Sequence, residues 1–191
     1  SPFGGHFFFW TSLSQHGRLR TPGISRQNRG NNMQTIRAVP LIENPSEEQF
    51  HATRRDLITG TDIATILGLN PYSTAYSLAL EQKGKLPPRE ENDATWVGKQ
   101  LEPTILALFS RKMNRKVRPN RTIYAHPDHL WAGGTPDGFT DDDGPLEGIE
   151  AKAVGVQASF GWGEAGTEDV PVWYFTQVHW YSGICGGIPW N

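Results

Sequence analysis

The sequence predicts an α/β domain, a small mixed β-sheet flanked by helices, and three features of its patterning predict it. Helical periodicity fills the chain from Ser46 to Met113. Short extended pieces separated by turn signals fill Val117 to Val154. Helical periodicity then returns after Pro171. With 191 residues there is enough chain for one domain with a real core, and 37% apolar against 20% charged residues is a folded composition.

Each element has a local cause. Ser46-Glu47-Glu48-Gln49 is a capping box that opens a helix to about Leu57. Thr61 is expected to cap a short helix, Asp62–Leu67, stopped by Gly68, and Asn70-Pro71-Tyr72 makes a turn. A third helix is expected from about Thr74 to Lys83, ending at Gly84, before a polar loop over Lys85–Asn92. The longest helix, about Ala94 to Met113, carries Val97, Leu101, Ile105, Phe109 and Met113 on one stripe, and Pro103 should kink or restart it. Extended pieces are expected at Arg121–Ala125, Leu130–Gly134, Pro136–Thr140 and Leu146–Val154, with Asp141-Asp142-Asp143-Gly144 turning between the last two. Pro171 suits the first turn of a final helix running to about Ile184.

Domain boundaries follow from composition. Residues 1–45 read as a leader, disordered or not native to the fold. Residues 46–186 read as the folded domain, and 187–191 as a tail or the sign of a truncation. Residues 1–39 hold five arginines and no acid, which leaves 13 of the 18 basic residues against all 20 acids in the remainder. Nucleic-acid binding would then need a local basic patch, with some carboxylates offset by metal. An arginine-rich leader admits mitochondrial targeting, but a cytoplasmic protein whose natural start is Met33 is the preferred reading. The single cysteine, Cys185, excludes an internal disulfide and an iron–sulfur cluster, and no apolar run reaches the roughly 18 residues of a membrane span.

The chemistry lies in Thr135-Pro136-Asp137-Gly138 and Glu150-Ala151-Lys152. Alternate strand residues share a face, so Glu150 and Lys152 lie together, and hairpin pairing can bring Asp137 beside them. Two carboxylates can hold Mg²⁺, which shields a phosphodiester and acidifies a bound water. A lysine beside them can hold or deprotonate that water, its pKa depressed by the metal and by lost solvation. The plain alternative is a surface salt bridge. Glu102, at the edge of the apolar stripe, is either an exposed helical acid or a further acid aimed at the sheet. Arg54 and Thr61 are either a solvated arginine and a helix cap or an anion cradle. Gln177, in the last helix, would by default be exposed.

Taken in order, these segments resemble the YqaJ-like viral recombinases, relatives of phage lambda exonuclease in the PD-(D/E)XK nuclease superfamily. The resemblance runs from Ser46 to about Gly186. It rests on Arg54-Arg55, Gly60-Thr61-Asp62-Ile63-Ala64, Ile66-Leu67-Gly68, Asn70-Pro71-Tyr72, Glu81-Gln82-Lys83-Gly84, Gly98-Lys99-Gln100-Leu101-Glu102-Pro103, His126-Pro127-Asp128, the Asp137 and Glu150 motifs, and Pro171, Tyr174 and Gln177-Val178. The family usually has Ser where Thr61 stands, and its domain usually continues beyond the final helix. The resemblance implies a restriction-endonuclease-like fold and a Mg²⁺-dependent exonuclease, with Mn²⁺ able to substitute, that digests duplex DNA from a 5′ end. It implies metal binding by Asp137, Glu150 and the Ala151 carbonyl, with Glu102 in support. It gives Lys152 the attacking water, places Gln177 in the site, and assigns the 5′ phosphate to Arg54 and Thr61. A single-strand annealing protein and a homotrimeric ring are the implied partners. A related endonuclease and a non-catalytic or truncated DNA-end-binding domain are the rival expectations.

Overall fold

The computed structural model describes residues 35–86, 91–155, 161–164 and 167–191. The elements, in order, are β1 (Val39–Glu43), α1 (Glu47–Arg55), α2 (Gly60–Ile66), α3 (Ala75–Gln82), α4 (Asp93–Met113), β2 (Val117–Pro119), β3 (Thr122–His126), β4 (His129–Gly134), β5 (Gly138–Thr140), β6 (Gly148–Ile149) and α5 (Val172–Cys185). The α/β class holds. The sheet is not one mixed sheet, however, but two antiparallel ones, ordered β1-β3-β4 and β2-β5-β6. Two isolated bridges pair in parallel, Ile58 with Ala132 and Gly148 with Trp190.

The helix starts follow the sequence closely. At α1 the Ser46 hydroxyl accepts from the Gln49 N–H, and the Gln49 side chain accepts from the Ser46 N–H, a reciprocal cap of about 1 kcal/mol. At α2 the cap is Thr59 and not Thr61, because Asp62 reaches back to accept from the Thr59 N–H at 2.8 Å and from its hydroxyl at 2.7 Å. Helix α4 runs unbroken through Pro103, which sits in its third turn.

Packed residues extend past the expected bounds at both ends. Val39–Glu43, inside the expected leader, forms β1 and pairs antiparallel with β3. Ala38 joins the core beside Ile184 and Cys185. The expected tail is also built in: Ile188 is buried, and Trp190 packs against Phe139 and Tyr181. Gly148 lies under the Trp190 indole so closely that a Cβ there would come within 2.5 Å of it. The predicted strand Leu146–Val154 is regular only at Gly148–Ile149, and Pro136–Thr140 only from Gly138. Residues 1–34 lie outside the described part.

Two apolar clusters position the site. One joins the sheets, with Tyr124 of β3 edge-on to Phe139 of β5 and α5 closing over both. The other sets Leu106 and Phe109 of α4 against Ile149 of β6. Residues in these clusters are worth roughly 1.5–3 kcal/mol each when fully buried. Ile149 thereby anchors the residue that follows it, Glu150.

Candidate active site

Strands β5 and β6 pair Gly138 with Ile149 and Phe139 with Gly148. Asp137 and Glu150 therefore leave the open end of the hairpin together, one from each strand. The Ala151 N–H donates to the Asp137 carboxylate at 2.6 Å, which ties the two strand ends to each other. The Lys152 ammonium and the Gln177 amide both donate to Glu150 Oε1, each at 2.5 Å. Gln177 is buried in α5 and also donates to the Tyr181 hydroxyl at 3.3 Å.

Across the cleft, Arg54 Nη2 donates to the hydroxyls of Thr59 at 3.0 Å and Thr61 at 2.9 Å. Its guanidinium lies 5.4 Å from the Phe50 ring centre, a cation–π contact that fixes its direction. A cavity of about 600 Å³ is lined by Arg54, Thr61, Glu102, Asp137, Glu150, Lys152 and Gln177. These seven side chains thus face one space, whereas Ala151 is not among the residues that line it and its N–H holds the Asp137 carboxylate.

The electrostatics are those of crowded, desolvated carboxylates. Burial holds Asp137 above the ordinary carboxylate range, against the pull of Lys152 and the Ala151 N–H. Burial does the same to Glu150, whose side chain is only 6% exposed, again with Lys152 opposing it. Burial and then Asp137 push Glu102 up to about 7. Lys152 is balanced differently in the cation-free cleft. Burial pulls its pKa down, but the Glu150 and Asp137 charges outweigh burial and leave it above the usual lysine value. Without a bound cation it is an ammonium, suited to donating rather than to taking a proton.

Sequence reasoning missed Asn120. It is buried, its side chain donates to the carbonyls of Pro136 at 2.8 Å and Thr122 at 3.0 Å, and its own N–H donates to the Asp137 carbonyl at 2.9 Å. It holds the Asp137 backbone in place from the turn after β2. The only available signal was an Asn between two strand patterns, which reads as a turn. His126 and His179 do not line this cleft.

One oxygen in the cleft asks for a cation. Glu150 Oε2 is buried and has no hydrogen-bond partner. A buried ionised carboxylate with a bare oxygen costs several kcal/mol unless a proton or a cation meets it. Among the described residues no three His, Cys, Asp or Glu side chains form a closed cage. Mg²⁺ does not need one, since it takes one or two carboxylates and completes its shell with water and phosphate. The residues fit such an ion.

Fold and cleft together define a restriction-endonuclease-like α/β domain. A family model described as the YqaJ-like viral recombinase domain matches residues 49–187, and the chain belongs to that family. It is 29% identical over 157 residues to the uncharacterized protein YqaJ of Bacillus subtilis, across 81% of this chain and 48% of that one. It is 33% identical over 96 residues to a protein of African swine fever virus, across 47% of this chain and 27% of that one. The chain spans about half or less of the length of these relatives. Among solved structures, an alkaline exonuclease from Laribacter hongkongensis shares the fold, with a TM-score of 0.52 at 20% identity, across 74% of this chain and 69% of that one.

Proposed function

We propose that this chain is a metal-dependent deoxyribonuclease that hydrolyses phosphodiester bonds from a 5′ end of duplex DNA, in phage-type recombination. The observation that carries the reading is the meeting of Asp137, Glu150 and Lys152 at one hairpin end, with Glu150 Oε2 bare. The family and the exonuclease fold support it.

Asp137 and Glu150, with the Ala151 carbonyl, would hold Mg²⁺ or Mn²⁺, which supplies charge shielding and an acidified water. Lys152 would hold the attacking water in place or take its proton once the cation is bound. Gln177 and Lys152 together fix Glu150 Oε1, leaving Oε2 free for the cation. Glu102 acts through water from the cleft wall rather than as a closing ligand. Arg54 keeps N–H groups beyond those given to Thr59 and Thr61, and with the Thr61 hydroxyl it takes the terminal 5′ phosphate.

Lys152→Ala is expected to lower Mg²⁺-dependent nucleotide release from end-labelled linear duplex by at least about a hundredfold while DNA-end binding persists. Undiminished release would remove Lys152 from the mechanism. Cutting of closed circles would make the enzyme an endonuclease. Binding without any cutting by the unmutated chain would favour an end-binding domain.

A further inference from the structure

The turn Asn70-Pro71-Tyr72 is not used by the chemistry above, yet it is held firmly. The Asn70 side-chain oxygen accepts from the Tyr72 N–H at 2.9 Å, and its amide donates to the Thr65 hydroxyl at 2.8 Å. Two residues later Thr74 caps α3, accepting from the Ser77 N–H at 3.1 Å. The backbone on either side of Tyr72 is thus fixed, while its side chain is exposed, the residue as a whole at 78%, and adds little to the core.

That ring is not isolated. It lies 6.3 Å, edge-on, from Trp173 at the start of α5, and Trp173 lies 5.9 Å from Tyr174. Trp162 backs Tyr174 at 5.3 Å. The Lys152 ammonium sits 5.4 Å from the centre of the Tyr174 ring. A row of aromatic rings therefore runs from the lysine of the cleft to the exposed Tyr72.

We propose that Tyr72, with Trp173 and Tyr174, forms a stacking surface for the unpaired nucleobases of a single-stranded DNA segment entering or leaving the cleft. The proposal rests on the nuclease reading and names the form of DNA that the site handles beside the cut. Three features favour nucleobases over a protein partner. The row reaches the cleft through Lys152, which lines it and lies 5.4 Å from the Tyr174 ring. Its rings are held by one another and by a rigid turn, so ordering them costs little entropy. Every base presents a π-face, so such a row grips a strand whatever its sequence.

The test is fluorescence anisotropy on the full chain, in buffer with Ca²⁺ and no Mg²⁺, using a duplex with an oligo-dT tail and the same duplex with blunt ends. Tyr72→Ala and Tyr72→Leu are expected to weaken binding of the tailed duplex about five- to a hundredfold, the range for one stacked base, and to spare the blunt one. Tyr72→Phe keeps the ring and should bind like the unmutated chain. Exposure of Tyr72 means the fold should survive all three changes. Equal binding by Tyr72→Ala, or a Leu variant as good as Phe, would overturn the stacking row. If Tyr72→Ala binds tailed DNA normally while Lys152→Ala no longer releases nucleotides, the row alone is wrong. If the unmutated chain neither binds nor cuts DNA of either form, the nuclease reading has failed and the row falls with it.

Discussion

The β5–β6 hairpin carries carboxylates at both ends, and the two ends treat them oppositely. At the turn, Asp142 is surrounded by donors. Arg115 Nε reaches both of its oxygens, at 3.0 and 2.8 Å, and the N–H groups of Lys116 and Gly144 add a bond each at 2.9 Å. The hydrogen bond from Arg115 holds its pKa down at about 2. At the open end, Asp137 and Glu150 sit in a desolvated cleft, share one lysine, and are held above their ordinary range by burial. The turn satisfies Asp142 with protein. The open end leaves an oxygen bare, and this difference separates a structural ion pair from a place prepared for a cation.

The largest expected effect comes from neutralising the open end. Asp137→Asn or Glu150→Gln should lower Mg²⁺-dependent nucleotide release by about a thousandfold or more, within the range for removing a group essential to charge or proton handling. Asp142→Asn, at the other end of the same hairpin, should leave release nearly unchanged. Comparable losses from both ends would break the contrast.

The second effect is on stability. Mg²⁺ at a hundred times its dissociation constant should stabilise the unmutated chain by about 2.7 kcal/mol, read as a rise in the thermal midpoint. Glu150→Gln should lose that rise, yet in chelator it should melt no lower than the unmutated chain, because a buried charge has been removed. A Gln variant that still responds fully to Mg²⁺ would place the ion elsewhere.

How much of this was legible depended on sequence distance. The Ser46 capping box, the α4 stripe and the Asp137–Glu150 hairpin join residues close in sequence, and the sequence shows them; the α2 cap, two residues off, it does not. Strand β1 pairs with β3, and Trp190 packs on β5, contacts that only the folded chain reveals; composition alone made both regions look peripheral. Gathering Arg54, Glu102 and Gln177 into the hairpin's cleft likewise needed three helices from distant parts of the chain, and only the family resemblance anticipated it. The balance at Lys152 is not legible in sequence either, because in the cation-free cleft Glu150 and Asp137 outweigh burial and raise its pKa.

A smaller effect tests the support beneath the open end. Asn120→Ala removes the donors to the Pro136 and Thr122 carbonyls and should cost about 1–3 kcal/mol in urea denaturation. Ala keeps the main-chain bond to the Asp137 carbonyl but loses the one that holds the Pro136 carbonyl just before Asp137, so turnover should fall more than DNA binding weakens.

The smallest effect is the sharpest on the comparison, because the two ends should respond to pH with opposite signs. Asp142 has a depressed folded pKa. It therefore stabilises the fold above its unfolded value of about 3.9 and loses that contribution as pH falls toward about 2. The stability difference between the unmutated chain and Arg115→Ala should accordingly be present near neutrality, shrink between about pH 4 and pH 2, and weaken in high salt. Asp137 and Glu150 have raised folded pKa values, so in chelator their ionisation costs stability as pH rises above the ordinary carboxylate range. The advantage of Glu150→Gln over the unmutated chain should grow from about pH 4 toward neutrality, where the Arg115→Ala deficit is already full. Urea midpoints of the three proteins across this range decide the matter. If Glu150→Gln shows no such growth, the open end is already satisfied by protein, like the turn, and the case for a cation there loses its physical ground.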